Sequence, residues 1–423
     1  MTASNRRLRL PSGAGMIGAS ATIVAPTLVS VGLGALTAIV TARELGPEGR
    51  GEISLVLAVV SISSVLLTLG INTSARLALV RPEHGVRVSA YLGASILLVA
   101  GEVVLVVLVL MVTPLIASFQ FAVGVLFLGA LYAALYHCAV LARGLLVTFG
   151  ALFATSLFTA VGLTVTFSIC LVLATTTTSG VTAYLLAFAV GLSVEVTGLV
   201  SFARRRRLLT MPSVDLRQWH VLIGLGLPAL GVSASRSFVF RFDRYLVAVF
   251  LGLGPAGIYS VASTLSEALR IVPRALSEVV LHRIASGRSD HGAVARARVV
   301  LFIVIAPMLL GLAVFAPEVI TVLVGPEYLP GVTPLRILLI GEVAVASFSV
   351  DLHHLAGMGH LARAGTLGIM VAAAVVMLDL LLIPLLGLPG AALASVGGYF
   401  TFGVVARLAT RRAVRRADVA TAD

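Results

Sequence analysis

The sequence contains no lysine and few charged residues of any kind. All 30 basic residues are Arg, and charged residues make up only 11% of the 423-residue chain. In a soluble globular domain about a quarter of the residues are charged. The apolar fraction is 59% and the mean hydropathy is +1.09. These values exclude an ordinary soluble domain and predict an integral membrane protein.

Cysteine is also scarce, and long hydrophilic loops are missing. Cys138 and Cys170 both fall in apolar segments, so the sequence gives no reason to expect a disulfide. A membrane glycosyltransferase would need acidic metal ligands in a substantial outer loop, and an ATPase would need a P-loop, which does not occur. The protein is therefore expected not to be an enzyme and to need no cofactor and no metal.

Twelve apolar segments are long enough to cross a bilayer, because a span needs roughly 20 mostly apolar residues. They are residues 18–42, 53–70, 88–112, 121–142, 150–173, 181–203, 220–251, 258–276, 298–316, 333–354, 365–384 and 388–408. The expected fold is all-α, a polytopic membrane protein of twelve transmembrane helices.

The Arg residues are concentrated on one side of this predicted topology. Of the 30, 24 lie at the two termini and in loops after even-numbered segments, three lie at odd-numbered connections, and three lie inside the seventh segment. Because loops rich in Arg stay in the cytoplasm, both termini are predicted to be cytoplasmic in the cell membrane. The net charge of +12 therefore indicates topology and contact with anionic membrane lipids, not nucleic acid.

A short motif occurs twice in the chain. Residues 45–49 (LGPEG) recur as residues 253–257 (LGPAG), and the Arg cluster at 204–207 is echoed at 411–416, both at an offset of about 208 residues. The common offset predicts two parallel halves of six helices, residues 1–207 and 208–423. The Gly46-Pro47 and Gly254-Pro255 pairs are each expected to form a tight turn at the outer face.

The seventh segment carries Arg236, Arg241, Asp243 and Arg244. Each Arg at the centre of a span costs roughly 2.5–3.5 kcal/mol on insertion scales, so exposure of all three to lipid is not expected. We expect the three Arg residues to line a cavity and to bind an anion such as a phosphate. In the alternative, Arg236 and Asp243 form a structural ion pair and the other two Arg residues lie at the outer interface.

Two further sets of charged residues are candidates for a role in transport. Glu102 and Asp379 lie deep in the third and eleventh segments, where they would carry protons or balance the cavity Arg residues. Glu267, Arg270 and Arg274 share one helical face at the end of the eighth segment. This face is either an interfacial helix end or a cytoplasmic gate that contacts an anionic headgroup.

Several segments resemble one family of membrane proteins. Residues 242–246 (FDRYL), 253–262 (LGPAGIYSVA) and 270–276 (RIVPRAL) are similar to the seventh-to-eighth-helix region of polysaccharide (lipid-linked oligosaccharide) flippases in the multidrug/oligosaccharidyl-lipid/polysaccharide exporter superfamily. Residues 45–49 and 387–394 are similar to the first connection and last helix of that family.

This resemblance implies two six-helix bundles around a central cavity. It also implies transport of a polyprenyl-diphosphate-linked glycan, whose diphosphate would meet Arg236, Arg241 and Arg244. A polysaccharide polymerase or glycosyltransferases would be further partners. The alternative function is a cation-coupled antiporter of small organic molecules. The first segment has no acidic residue, whereas drug-extruding relatives often have one there, which disfavours that alternative.

Overall fold

The computed structural model describes residues 13–176, 180–270, 291–357 and 361–422, and every regular element in these ranges is helical. The helices are α1 (Gly13–Leu67), α2 (Ile71–Ala78), α3 (Val88–Ile116), α4 (Val123–Thr148), α5 (Leu152–Thr175), α6 (Val181–Arg205), α7 (Leu216–Leu251), α8 (Leu253–Ala268), α9 (His291–Val314), α10 (Ala316–Leu323), α11 (Val332–Gly357), α12 (Leu361–Leu386) and α13 (Leu388–Ala422). Helices suit a chain in lipid because they satisfy their backbone hydrogen bonds internally.

The predicted all-α membrane fold is confirmed. Within the described ranges, nine helical stretches are long and apolar enough to cross a membrane, and the bent pair α9–α10 makes a tenth. One of the nine is α1, which Gly46 breaks into two arms that are each long enough to span. Together with α8, which has 16 residues, these helices correspond to the twelve predicted spans.

Gly46 forms the predicted turn, but the second turn lies two residues earlier than predicted. Gly46 has φ 64° and ψ −176°. In the second copy the residue with positive φ is Gly252 (φ 94°), and Gly254 and Pro255 already belong to the first turn of α8. Proline is tolerated there because its missing N–H would have no acceptor within the helix. The eighth helix therefore begins at Leu253 rather than at residue 258.

Two short helices were not predicted from the sequence. Helices α2 and α10 have eight residues each. A membrane span needs roughly 20 residues, so the apolar segments of the sequence did not reveal them. Helix α2 follows Gly70, which has φ 72°, and α10 is bent by 73° from α9. Both helices lie where the chain reverses direction between two long helices.

The side chain of Asp215 starts α7 after the connection between the two halves. It accepts a hydrogen bond from the backbone N–H of Gln218 at 3.1 Å, as an N-cap residue does. This backbone hydrogen bond lowers the pKa of Asp215 below its ordinary value. The cap therefore sets the start of the helix that carries the three candidate Arg residues.

The two copies of the repeated motif contact each other across the halves. We call the side of Gly46 the outer face, following the predicted topology. A Cβ atom on Gly51 would lie 1.8 Å from the carbonyl oxygen of Leu253, and one on Gly257 would lie 1.9 Å from that of Pro47. Helices α1 and α8, one from each half, therefore cross in backbone contact near the outer face.

The halves also meet toward the inner face. A Cβ atom on Gly70 would lie 2.0 Å from the carbonyl oxygen of Gly226 in α7. The indole N–H of Trp219, also in α7, donates to the carbonyl oxygen of Ala90 in α3 at 2.8 Å. The predicted halves are thus in contact at two levels, through α1 with α8 and through the α2 and α3 region with α7.

Candidate functional site

A chain of ion pairs joins α7, α8 and α11 in the C-terminal half. Arg244 of α7 binds Glu267 of α8. Arg270, just beyond α8, binds Glu342 of α11 through Nε at 2.8 and 2.9 Å and through Nη2 at 2.7 Å. Arg270 Nη1 also lies 3.9 Å from Glu267 Oε1. Two guanidiniums and two carboxylates therefore form one electrically balanced network, and Glu342 within it is only 3% exposed.

This network lies part-way along α11 rather than at an end of that helix. Glu342 follows the outer end of α11, Val332, by ten residues, which corresponds to about 15 Å along the helix. Glu267 and Arg270 are consequently engaged with α7 and α11 of their own half. Arg274 lies outside the described residues, so the cytoplasmic gate of Glu267, Arg270 and Arg274 stays a prediction.

Aromatic rings enclose the guanidinium of Arg270. Its Cζ atom lies 4.4 Å from the ring centre of Phe240 in α7 and 5.3 Å from that of Tyr399 in α13. The two rings are 4.8 Å apart. Cation–π attraction adds to the bidentate ion pair and strengthens when water is excluded. Arg270 is therefore held on several sides and links α7, α11 and α13.

Three hydrogen bonds hold Asp243, which is 3% exposed. The backbone N–H of Arg244 donates to Oδ1 at 2.8 Å. The hydroxyls of Tyr259 and Ser395 donate to Oδ2 at 2.7 and 2.9 Å. Helices α8 and α13 thus converge on this carboxylate. The Arg236–Asp243 ion pair, the alternative considered from the sequence, stays a prediction.

Asp379 of α12 lies close enough to Asp243 for their charges to repel. It is fully buried, and both of its carboxylate oxygens lack a hydrogen-bond partner in the part of the chain that the structure describes. An ionised carboxylate buried without partners is costly. An additional proton or cation beside Asp379 would remove this cost, and its coupling role stays a prediction.

Glu102 lies in a different buried cluster, in the N-terminal half. Its Oε1 accepts a hydrogen bond from Ser63 of α1 at 2.7 Å, and its Oε2 lies 3.4 Å from Nδ1 of His137 in α4. Both Glu102 and His137 are 0% exposed. The described residues contain no group of three or more His, Cys, Asp or Glu side chains placed to hold a metal ion. Glu102 is thus remote in sequence and helix from Asp379, and its coupling role stays a prediction.

The three Arg residues of α7 have different surroundings. Arg236 and Arg241 are exposed, whereas the side chain of Arg244 is 12% exposed and is bound to Glu267. Arg241 interacts electrostatically with Tyr132 of α4 and with Glu267. Arg241 is therefore an exposed cation whose charge acts on residues of α4 and α8, while Arg244 is already neutralised by a carboxylate.

Arg50 is a buried cation that the sequence analysis did not select. It is 6% exposed, and its Nη1 donates to Thr41 Oγ1 at 3.1 Å. Its Nε lacks a hydrogen-bond partner among the described residues, as does the Nε of Arg244. The two guanidiniums, one from each half, are close enough for their charges to repel. The available signal was that Arg50 is one of only three Arg residues at predicted outer connections.

The amino-acid sequence matches the profile of a known protein family. The profile of the family described as polysaccharide biosynthesis protein matches residues 18–281, which is more than half of the chain. The chain belongs to the polysaccharide biosynthesis protein family. No curated protein sequence matches it.

Solved structures show that this polysaccharide biosynthesis protein has the fold of MOP superfamily transporters. The lipid II flippase MurJ in an inward closed conformation gives a TM-score of 0.72 at 15% identity, over 93% of this chain and 87% of that one. An inward-facing multidrug resistance MATE family transporter gives 0.70 at 16% identity, over 92% and 95%. A MOP superfamily transporter from Pyrococcus furiosus gives 0.56 at 15% identity, over 93% and 95%.

A second ion pair between helices of this polysaccharide biosynthesis protein was also missed. Arg143 Nη1 lies 2.9 Å from Oε1 of Glu195 in α6, and Thr159 of α5 donates to the same oxygen at 2.6 Å. Arg143 was predicted to lie in a loop because the fourth apolar segment was ended at residue 142. Helix α4 continues to Thr148, which brings Arg143 between the helices.

Proposed function

We propose that this protein is a flippase that moves a polyprenyl-diphosphate-linked oligosaccharide from the inner to the outer leaflet for cell-surface polysaccharide synthesis. Two findings support this function. The matching family is named for polysaccharide biosynthesis, and one structure with the same fold is that of a lipid II flippase. In this proposal the chain itself has no catalytic role, and a polysaccharide polymerase or glycosyltransferases act before or after it.

The observation that carries the proposal is the pair of like-charged guanidiniums, Arg50 and Arg244. They come from different halves, both are largely buried, and each has an Nε without a partner in the described structure. Glu267 already balances the charge of Arg244, so Arg50 is the cation left without a carboxylate partner among the described residues. A buried cation of this kind in a site of low dielectric favours an anion beside it. A diphosphate supplies the negative charge and the oxygens that guanidinium N–H groups bind in pairs.

Arg241 and Arg236 extend this cationic surface along α7. Both are exposed, and Arg241 reaches the neighbourhood of Tyr132 in the other half. In the proposed function, Arg241 and Arg236 contact the diphosphate as the halves separate, and Asp243 fixes the position of the helix. Arg244 exchanges part of its contact with Glu267 for the phosphate oxygens.

The second candidate function is cation-coupled antiport of small organic molecules. The buried carboxylates Glu102 and Asp379 favour it, because intramembrane acids often carry protons or bind cationic cargo. The MATE family structures share the fold. In that case transport of an organic cation would depend on Asp379 and would be insensitive to loss of Arg50.

Arg50→Gln tests the flippase function most directly. Removing Arg50 leaves no carboxylate unpaired and relieves a repulsion, so protein abundance is expected to stay normal. Loss of one charge-assisted contact of about 1.5–3 kcal/mol should raise the lipid concentration for half-maximal translocation about ten- to hundredfold. Arg50→Lys should recover only part of this loss, because an ammonium lacks the planar fork. Translocation is measured with labelled lipid-linked oligosaccharide in proteoliposomes.

Arg43→Gln is the matched control, because Arg43 lies in the same helix seven residues before Arg50, across the Gly46 break, but is exposed and bonded to the carbonyl oxygen of Val322 at 2.7 Å. It should transport normally. Single and double replacements of Arg236 and Asp243 separate binding from structure, since a structural pair predicts low abundance for the single variants and partial rescue in the double variant. Full translocation by the Gln variants of Arg50, Arg236 and Arg241 at normal abundance would exclude the proposed site.

A further inference from the structure

A groove with aliphatic walls runs along the inner part of the N-terminal half. Helices α3 and α6 both pack against α4, and a cavity of about 660 Å³ lies between them. Ile96 and Val99 of α3, Leu141 of α4 and Val200 of α6 line it. This volume lies within the roughly 300–1,000 Å³ that is usual for small-molecule sites. We call this cavity the inner groove.

The connection between the two halves closes the cytoplasmic end of the inner groove. The N–H of Leu208 donates to the carbonyl oxygen of Ala203 at the end of α6 at 3.0 Å. The N–H of Ser213 donates to the carbonyl oxygen of Ser89, in the first turn of α3, at 2.9 Å. A Cβ atom on Gly93 would lie 2.1 Å from the carbonyl oxygen of Ser213. The connection is therefore held against both flanking helices, and its residues 209–212 form the floor of the groove.

One side of the inner groove is open to the bilayer, and one end carries a cation. Ile96 lines the groove and is 58% exposed, so lipid chains have access to it from the side. Arg204 lies in the last turn of α6 and lines the groove at the level of the floor. The apolar walls can bind the hydrocarbon chain of a lipid, and the guanidinium lies where an anionic headgroup would be. The groove therefore suits an anionic lipid.

We propose that the inner groove binds the isoprenoid chain of a polyprenyl diphosphate lipid in the inner leaflet, with the diphosphate against Arg204. This proposal rests on the proposed function, and it adds a docking site that the lipid occupies before its headgroup reaches Arg50 and Arg241. The groove lies between α3, α4 and α6, and Arg204 is the one charged residue among the described residues that line it. One apolar cavity with one cation suits a lipid with one chain and an anionic headgroup. A phospholipid has two chains and one phosphate, whereas a polyprenyl diphosphate has one chain and a larger headgroup charge.

Binding of a glycan-free polyprenyl diphosphate to the full-length purified protein tests the groove, with native mass spectrometry as the readout. Arg204→Gln is expected to weaken binding about tenfold, since it removes one charge-assisted contact. Arg205→Gln is the matched control, because the neighbouring Arg205 carries the same charge at the same helix end but does not line the groove. Cys138→Phe and Ile96→Trp fill the groove from α4 and from its exposed side, and both are expected to prevent binding there.

Three outcomes would contradict the proposed lipid site. Equal binding by the Arg204→Gln and Arg205→Gln variants would show that Arg204 does not contact the headgroup. Undiminished binding by both filled variants would show that the isoprenoid chain does not lie in the groove. Displacement of the polyprenyl diphosphate by an equal concentration of phosphatidylglycerol would assign the groove to a phospholipid. Arg241→Gln should keep binding in the groove while losing translocation. The flippase function requires only that the wild type binds this lipid somewhere on the protein. Failure of the groove proposal is therefore distinguishable from failure of the proposed function.

Discussion

At the scale of single residues, Glu342 tests whether the ion network stabilises the fold. It is 3% exposed and carries three hydrogen bonds from Arg270. Glu342→Gln leaves the guanidiniums of Arg244 and Arg270 to share one carboxylate, Glu267, in a site of low dielectric. The free energy of unfolding should fall by about 3–5 kcal/mol, as is usual when one partner of a buried pair is removed. Thermal unfolding of the purified variant measures the change.

Two further variants identify the cause of any loss at Glu342. Replacing both partners, in Glu342→Leu with Arg270→Met, should restore most of the stability because neither charge remains buried. Arg81→Gln breaks a pair whose side chains are 61% and 67% exposed, and it should change stability by less than about 1 kcal/mol. Equal losses in Arg81→Gln and Glu342→Gln would show that burial does not decide the cost.

At the scale of elements, the crossing of α1 and α8 depends on Gly51. A Cβ atom there would lie 1.8 Å from the carbonyl oxygen of Leu253, so Gly51→Ala forces the two helices apart. Overpacking of this kind costs about 1–3 kcal/mol. We expect a lower unfolding temperature for the purified variant. We also expect weaker cross-linking between cysteines introduced near the outer ends of α1 and α8.

Gly34→Ala provides the comparison, because nothing lies within 4 Å of a Cβ atom at that position in the same helix. Alanine is favoured over glycine inside a helix by about 0.5–1 kcal/mol. Gly34→Ala should therefore be neutral or slightly stabilising. The same response from both variants would mean that the contact between α1 and α8 does not depend on the missing side chain.

At the scale of the whole molecule, the Arg distribution predicts the orientation in the membrane. Thr176, beyond the end of α5, is expected outside, and Arg206, beyond the end of α6, is expected in the cytoplasm. In a background with Cys138→Ser and Cys170→Ala, Thr176→Cys should react with an impermeant thiol reagent on intact cells. Arg206→Cys should react only after permeabilisation. Labelling of both sites from the same side would contradict the twelve-span topology, and the background without cysteine controls for non-specific reaction.

The division into halves at residues 207 and 208 also belongs to the whole molecule and stays a prediction. The repeated motif that suggested it is found in contact with its own second copy through Gly51, Leu253, Gly257 and Pro47. The contact shows that the two motifs meet near the outer face. The shift from Gly254 to Gly252 as the turn residue shows that the copies differ in local conformation.

The number of spans, the helical class and the Gly46 turn were all predictable from the sequence. Each depends on a local property: the length of an apolar run, the composition of its flanks, or the ability of glycine to adopt positive φ. The eight-residue helices α2 and α10 were not predicted because each is shorter than a membrane span. The fourth apolar segment was ended at residue 142, whereas α4 continues past Arg143 to Thr148.

Which charged groups meet was decided only by the tertiary structure. Arg270 and Glu342 are 72 residues apart, and Arg143 and Glu195 are 52 apart. Helical periodicity predicts the face on which a residue lies, but the partner depends on which helix packs against that face and at what height. Arg50 and Arg244 lie near each other only because α1 and α7 belong to halves in contact. The interaction between two buried charges depends on the distance between them in space. Their separation along the chain does not determine that distance.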